Sequence, residues 1–207
     1  MKISIFQSNY IPWKGYFDLI EYVDVFYFLD NVQFSKNTFR NRNMIQNTKS
    51  KFYLTVPVNK GKLNDKISEK LIIENNWQQK HWKSIEQCYS KSKNFKNISK
   101  ILKPYYLDLK FKTLSELNQK LIITICDYLR IKTKIITHDE IKYKANDRNM
   151  RLIEITKFFN CKTYVSSPQA KNYVNKILFN QEKIKLEWFQ YSKKLNQISI
   201  IDFLFNN

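Results

Sequence analysis

The chain has 207 residues, 43% of them hydrophobic and 15% aromatic, which is enough apolar material for a core and excludes the disordered and low-complexity classes. Only two glycines occur, so a G-x-G-x-x-G dinucleotide loop and a Walker A phosphate loop are both excluded. The 36 Lys and Arg outnumber the 18 Asp and Glu, giving a formal net charge of +18. This charge favours an anionic partner, although a genome rich in lysine and asparagine codons explains it equally well.

The first part of the chain predicts short strands and one early helix. Residues 2–7 and 24–30 are β-branched and aromatic runs of strand length, and residues 14–23 have apolar positions at helical spacing. A strand, a helix and a strand within about 30 residues have the size of a βαβ unit, which favours a parallel sheet. Two further strands are predicted, over residues 52–58 and 67–73.

The middle of the chain predicts a block of helices, and the remainder alternates again. Helices are predicted over residues 77–89, 95–108 and 113–130, where apolar residues recur every three or four positions. The later predicted elements are strands over 132–137, 162–166 and 183–189, and helices over 147–159, 168–178 and the apolar tail 199–207. Alternation at both ends predicts the α/β class, a Rossmann-like parallel sheet with flanking helices and an inserted helical block.

Cysteine and histidine content indicates a compartment and argues against a metal site. The chain has three cysteines, Cys88, Cys126 and Cys161. They are far apart and form no C-x-x-C motif, which is typical of buried thiols in a reducing compartment. With His81 and His138 as the only histidines, we expect no metal site, although two histidines with carboxylates stay open as ligands. We also expect no tightly bound cofactor. Because residues 1–13 lack the apolar stretch of a signal peptide and no apolar stretch is long enough to span a membrane, we expect a cytoplasmic protein, with contact to the membrane surface left open.

Polar side chains follow the first two predicted strands. Gln7, Asn9 and Tyr10 come just after the first strand, and Asp30 and Gln33 follow the second. Since ligands bind beyond the carboxyl ends of the strands in open α/β sheets, we expect these five side chains to line one cleft. Their groups suit hydrogen bonding to sugar hydroxyls or a nucleotide base, and Asp30 is a candidate catalytic base. The structural interpretation is a polar turn after each strand.

A basic segment after the second strand supplies candidate phosphate ligands. Lys36, Arg40 and Arg42 lie near the expected cleft. Arginine matches a phosphate group with two parallel hydrogen bonds, so we predict that Arg40 and Arg42 bind phosphate and that Lys36 contributes to substrate binding. A solvated loop in an already basic protein is the other interpretation.

His81 is the preferred candidate for a general base. It lies in the predicted helix 77–89 among aromatic residues, and histidine is the usual proton acceptor near neutral pH. His138 is a rival, and a core histidine is the structural interpretation. Ser166 follows a late predicted strand and is a candidate for substrate binding, although capping of the next helix is the commoner role for such a serine.

The residues after the first strand carry a family resemblance. Residues 7–20 read Q-S-N-Y-I-P-W-K-G-Y-F-D-L-I and resemble the Q-P-N-Y-x-P-W-x-G-Y-F-D-L-I opening of the WbqC-like family of bacteria. The resemblance continues through residues 24–30, 32–36, 40–43 and 54–58, the spacing from Trp77 to His81, and the tail at 199–206. It implies a single WbqC-like domain over residues 1–207, with a helical subdomain at about 76–130. The sequence departs from the family at Ser8, where proline is expected.

The family resemblance indicates the biosynthetic pathway in which the protein acts more specifically than the reaction that it catalyses. The WbqC-like family is associated with surface-polysaccharide gene clusters, especially those of O-antigen, and has been suggested to transfer glycine or another acyl group onto a sugar. Residues 13–16 are also similar in spacing to the His-x-Gly-His of nucleotidyltransferases of the pantothenate-synthetase type, with both histidines replaced. This similarity implies a nucleotide cleft without nucleotidyl chemistry and adds Trp13, Gly15 and Tyr16 to the substrate-binding candidates.

These observations together predict an acyl- or aminoacyltransferase of O-antigen biosynthesis. Its acceptor is the amino group of a nucleotide-linked amino sugar, and His81 takes up the amine's proton. The donor stays open among a carrier-protein thioester, a coenzyme A thioester and an aminoacyl-tRNA. An acidic acyl-carrier protein suits the basic charge, and tRNA is the less favoured partner. The alternatives are a non-catalytic scaffold that binds a nucleotide or a carrier protein, and an RNA binder or tRNA-dependent transferase.

Overall fold

The computed structural model describes residues 1–62, 64–137, 141, 143–145, 147–192 and 197–207. Its strands are β1 (Lys2–Phe6), β2 (Val25–Phe28), β3 (Arg42–Gln46), β4 (Lys51–Thr55), β5 (Lys134–Ile136), β6 (Thr163–Ser166) and β7 (Lys185–Trp188). Its α-helices are α1 (Lys14–Tyr22), α2 (Trp77–Tyr89), α3 (Phe95–Leu107), α4 (Leu114–Tyr128), α5 (Arg148–Phe158), α6 (Lys176–Gln181) and α7 (Ile200–Asn206). Short 3₁₀ helices cover Ile67–Glu69 and Pro168–Asn172.

The chain divides into two compact units, each built from separate stretches of sequence. The sheet unit comprises Met1–Gln7, Gly15–Leu29 and Arg130–Leu195. The helical unit comprises Ser8–Lys14, Asp30–Leu129 and Asn196–Asn207. The single domain expected from the family resemblance stays a prediction.

The sheet unit contains five parallel strands in the order β5-β2-β1-β6-β7. Ile3 of β1 pairs with Val25 of β2 on one side and with Tyr164 of β6 on the other. Chain order therefore reverses between β1 and β6, as it does at the switch point of Rossmann-like sheets. The predicted α/β class with a parallel sheet is confirmed.

Helices cover both faces of this sheet. On one face, Ile5 and Tyr27 belong to a core cluster that includes Ile153 of α5. On the other face, the ring of Tyr16 on α1 lies edge-on to Phe26, with 5.5 Å between ring centroids. Burial on both faces explains why these strands are nearly continuous runs of apolar residues, as parallel strands generally are.

The helical unit combines a two-stranded antiparallel hairpin, β3–β4, with α2, α3, α4 and α7. The predicted helical block is confirmed, and so is the docked apolar tail. Phe205 of α7 stacks on Tyr89 of α2 and on Phe95 of α3, with centroid separations of 5.0 and 5.5 Å. The Ser199 hydroxyl caps α7 by accepting a hydrogen bond from the Ile201 amide.

Two local predictions are wrong, and one strand was missed. The strand expected over 67–73 is a 3₁₀ turn followed by isolated bridges of Leu71 with Thr113 and Ile72 with Val58. Strand β3 was not predicted, because its sequence opens on the polar pair Arg42-Asn43. The helix expected over 168–178 is a 3₁₀ turn and then α6, which begins where the Asn175 side chain accepts a hydrogen bond from the Ile177 amide.

In the part of the chain that the structure describes, no helix combines the length and apolar character that crossing a membrane requires.

Candidate functional site

The segment 8–12 of the helical unit has a strained and tightly held backbone. Ile11 is fully buried and has a φ of 38°, a conformation that β-branched residues rarely adopt. The side-chain amide of Asn43 donates hydrogen bonds to the backbone carbonyls of Tyr10 and Ile11, at 3.4 and 2.9 Å. The backbone amide of Tyr10 donates to the Phe39 carbonyl at 2.9 Å. Strain of this kind persists only where its surroundings impose it, and it concentrates at functional sites.

Asp30 is completely buried and links segment 8–12 to α4. One carboxylate oxygen accepts a hydrogen bond from the Ser8 amide at 2.8 Å. The other oxygen accepts hydrogen bonds from the Ser115 hydroxyl at 2.5 Å and from the side-chain amide of Gln119 at 2.8 Å. A buried carboxylate needs such donors, because it has lost its water. Its side chain therefore holds three parts of the chain together.

Arg40 brings a positive charge to the same place. Its guanidinium is half-buried and donates a hydrogen bond to the side-chain oxygen of Asn9. Its backbone carbonyl accepts from the Asn118 amide at 2.8 Å, and the same amide lies 3.4 Å from the Ser8 hydroxyl. The eight residues that make these hydrogen bonds, with one another or with segment 8–12, are called the polar cluster below: Ser8, Asn9, Asp30, Arg40, Asn43, Ser115, Asn118 and Gln119.

Tyr10 connects segment 8–12 to a buried chain of polar side chains. Its hydroxyl lies 2.9 Å from Nδ1 of His81 and 2.9 Å from the hydroxyl of Tyr106. The ring of Trp77 lies edge-on to both Tyr10 and His81, with centroid separations of 6.4 and 5.1 Å. His81 is 7% exposed, and the two tyrosine side chains are more deeply buried.

Burial keeps the three hydrogen-bonded side chains, Tyr10, His81 and Tyr106, neutral near pH 7. It lowers the pKa of His81 to about 4, against the opposing effect of a hydrogen bond with the Thr55 backbone. Burial also raises the pKa of Tyr10 well above its usual value, and Tyr106 raises it further. Because the ring of neutral His81 bonds to the Thr55 backbone and to Tyr10, we assign Nδ1 as an acceptor from the Tyr10 hydroxyl. The Tyr106 hydroxyl then donates to Tyr10.

Other predicted residues of the helical unit make contacts of a different kind. Arg42 is on β3, with its guanidinium 4.3 Å from the ring centroid of Tyr53. Lys36 and Gln33 are exposed, and Gln33 forms an isolated β-bridge with Lys66. Trp13 is half-buried and forms an isolated β-bridge with Ser199.

The remaining predicted residues belong to the sheet unit. Gln7, directly after β1, and Ser166, the last residue of β6, are at the carboxyl edge of the sheet, where these two strands flank its switch point. The Gln7 carbonyl accepts a hydrogen bond from the Tyr16 hydroxyl at 3.0 Å, and the buried Ser166 hydroxyl accepts from that of Tyr164 at 3.3 Å. Gly15 is buried in α1.

A depression of about 360 Å³ lies on the sheet unit. It is lined by Glu21, Val23, Asp24, Arg130, Lys132 and Thr133. These residues precede β2 and β5, so the depression is at the amino edge of the sheet. Ligands of α/β sheets bind at the carboxyl edge, and we therefore do not assign the site there.

The thiols and titratable side chains elsewhere suggest no second chemistry. Burial raises the pKa of Cys88, Cys126 and Cys161, that of Cys126 to about 12, so the thiol forms predominate. Across the described ranges, no three His, Cys, Asp or Glu residues are grouped as metal ligands. The rival base His138 lies outside the described residues.

Sequence reasoning missed Ser115, Asn118 and Gln119. They lie on the buried side of α4, among the leucines that predicted the helix. Polar residues three and four positions apart on an otherwise apolar helix face were the available signal, since buried polar groups need partners.

Comparison with known proteins gives one family. The family model described as the WbqC-like protein family matches residues 7–207. The uncharacterized protein Rv1507c of Mycobacterium tuberculosis is 38% identical over 216 residues, which cover 99% of this chain and 93% of that protein. No solved structure matches the chain significantly. The family match includes the segment 8–12 and all of the polar cluster.

Proposed function

Because this chain belongs to the WbqC-like protein family, we propose that it is an enzyme of bacterial surface-polysaccharide assembly, such as that of O-antigen. Membership in this family suggests an association with polysaccharide gene clusters. The proposed reaction transfers an acyl or aminoacyl group, for example glycyl, to the amino group of a nucleotide-linked amino sugar. The amine nitrogen forms a C–N bond as the C–S or C–O bond of the donor breaks, and one proton passes from the amine to the departing thiol or hydroxyl.

The observation that supports this proposal best is the pairing of Arg40 with Asn9. A half-buried guanidinium beside a side-chain amide offers a cation for a phosphate group and hydrogen-bonding groups for a sugar hydroxyl. Arginine in a partly desolvated position binds phosphate more strongly than in open solvent. We propose that Arg40 binds the diphosphate of the nucleotide and that Arg42 provides a second contact from β3.

Asp30 has a positioning role in this proposal. Both of its oxygens are engaged by donors of the protein, and the carboxylate is completely buried. A general base must reach the proton that it abstracts. We therefore propose that Asp30 fixes the conformation of segment 8–12, and with it the side chain of Asn9.

His81 is the proposed proton acceptor, acting through Tyr10. The Tyr10 hydroxyl takes up the amine's proton as it passes its own to Nδ1 of His81, and the reverse transfer protonates the leaving group. Because the Tyr10 hydroxyl is buried, this role requires that substrate binding opens a path to it. The same burial favours the alternative of a non-catalytic binding protein. In that protein, the hydrogen bonds among Tyr10, His81 and Tyr106 only support segment 8–12.

The other predicted contributions stay proposals. They are substrate contacts from Gln7, Trp13, Gly15, Tyr16, Gln33, Lys36 and Ser166. A cytoplasmic location and an acyl donor of the carrier-protein, coenzyme A or aminoacyl-tRNA class complete the proposal.

A turnover experiment separates the enzyme from the binding protein. The purified protein is incubated with a UDP-linked amino sugar and each class of acyl donor, and the new amide is detected by mass spectrometry. Tyr10→Phe, which removes the hydroxyl next to His81, is expected to lower kcat about a hundredfold with little change in KM, as loss of an acid–base group does.

The matched control for Tyr10→Phe is Tyr89→Phe. It removes another buried tyrosine hydroxyl of the helical unit, one that donates to Asp202 at 3.1 Å outside the polar cluster. We expect Tyr89→Phe to keep kcat within about twofold of wild type at a comparable stability cost of about 1 kcal/mol. Equal kcat values for the two variants would contradict the relay, and sugar binding without any amide product would favour the binding protein.

A further inference from the structure

Helices α2 and α3 and the connection between them carry many exposed lysines and few acidic residues. Residues 77–107 contain seven lysines, no arginine and a single acidic residue, Glu86. The seven residues, called the lysine face below, are Lys80, Lys83, Lys91, Lys93, Lys96, Lys100 and Lys103. All seven are exposed. This excess of like charge costs stability unless a partner neutralises it.

Within the described ranges, no ion pair neutralises the lysine face. Across the residues that the structure describes, ion pairs join lysines elsewhere to carboxylates, and none includes a member of this face. On α3, Lys96, Lys100 and Lys103 lie at spacings of four and three, so they form one stripe along the helix. The Lys103 ammonium lies 5.9 Å from the ring centroid of Trp82, which places the end of that stripe beside α2.

Helix α2 connects this face to the candidate site. Its buried residues include Trp77 and His81, and His81 contacts Tyr10 of segment 8–12. Its exposed residues include Lys80 and Lys83, which are within two positions of His81 in sequence. A partner on the lysine face therefore lies one helix diameter from the proposed proton acceptor, about 10 Å.

The composition of the face distinguishes among anionic partners. Nucleic-acid surfaces use arginine and exposed aromatic rings that stack on bases, and residues 77–107 offer neither. Surfaces that enter a membrane carry exposed apolar side chains, and Leu107 is the one large apolar residue exposed in this range. Carboxylates on the surface of an acidic protein suit lysine ammonium groups without requiring either feature.

We infer that the lysine face docks an acidic carrier protein that brings the acyl donor as a thioester on a flexible arm. This inference rests on the proposed acyl transfer, because it identifies one donor class for that reaction. Electrostatic attraction steers the partners together, and the complex is weakened by salt.

The test measures binding of a purified bacterial holo-acyl-carrier protein by calorimetry at low salt. The triple variant Lys96→Glu, Lys100→Glu and Lys103→Glu is expected to weaken the complex at least about tenfold. The control reverses three exposed lysines of the sheet unit, Lys132, Lys176 and Lys183, which changes the net charge equally. We expect this control to change affinity less than about threefold.

Other results either overturn the inference or separate it from the proposed transfer. If both triple variants weakened binding of the carrier protein equally, the net charge of the protein, and not the lysine face, would determine the affinity. Binding through this face to mixed tRNA, or to vesicles of equal phosphatidylglycerol and phosphatidylcholine, without binding of the carrier protein would assign the face to another partner. Docking without amide formation from the loaded carrier would support the inference and count against the proposed transfer. Acyl transfer from a coenzyme A thioester, without docking of the carrier protein, would support the proposed transfer and overturn the inference.

Discussion

Replacing Asp30 with alanine is expected to lower the free energy of unfolding by about 3 kcal/mol. The substitution leaves the Ser8 amide, the Ser115 hydroxyl and the Gln119 amide without their shared acceptor in a fully buried position. Each orphaned donor costs about 1–3 kcal/mol, and relief from burying a charge offsets part of the sum. Urea unfolding followed by circular dichroism gives the value.

Two further variants identify the cause of the Asp30 effect. Asp30→Asn keeps one acceptor oxygen and is expected to lose about 2 kcal/mol. Asp202→Ala removes a half-buried carboxylate that accepts from Tyr89 and Gln46, and we expect it to lose about 1 kcal/mol. The positioning role also requires that Asp30→Ala, unlike Asp202→Ala, weakens binding of the nucleotide-linked sugar. An Asp30→Ala cost no greater than that of Asp202→Ala would refute the account of this carboxylate.

Acidification is expected to destabilise the protein through His81. Burial lowers the folded-state pKa of this ring to about 4 from an ordinary value of 6.5, so the unfolded chain binds more protons between these pH values. Stability from neutral His81 is therefore complete above about pH 6.5 and is lost as the pH falls toward 4. The shift corresponds to about 3 kcal/mol, at 1.36 kcal/mol for each pH unit.

Comparison of variants isolates this histidine from the carboxylates that also titrate in acid. His81→Gln cannot titrate, so the gap in unfolding free energy between wild type and variant should shrink by about 3 kcal/mol from pH 7 to pH 4. His138→Gln measures the contribution of the only other histidine in the sequence. Parallel pH dependences of wild type and His81→Gln would show that His81 is not buried in its neutral form.

The sheet and the helices could be predicted where local pattern and packing agree. Strands β1 and β2 are dense apolar runs because both faces of a parallel sheet are covered, and α2 begins and ends where its apolar spacing indicated. The strand predicted over residues 67–73 is wrong because Ile67, Leu71 and Ile72 contact separate parts of the helical unit instead of one neighbouring strand. Pattern alone does not reveal which partner an apolar residue meets.

The candidate site could be predicted only in part. Asn9, Tyr10 and Asp30 were identified from their positions after strands, and Arg40 from the basic segment that follows the second strand. The structure joins all four through segment 8–12. Their partners on α4 come from more than 70 residues further along the chain, and no local signal links such distant groups. The strain at Ile11 is also invisible in sequence, because it depends on the bonds from Asn43.

Calorimetric titration with a UDP-linked amino sugar shows whether the polar cluster binds a nucleotide-linked acceptor. We expect saturable binding by the wild type and an affinity at least about tenfold lower for Arg40→Gln, because a charged contact to phosphate is lost. Arg148→Gln is the control, since Arg148 is an exposed arginine of the sheet unit that stacks on Tyr173. Wild-type affinity in Arg40→Gln, or no saturable binding to the wild type, would contradict this expectation.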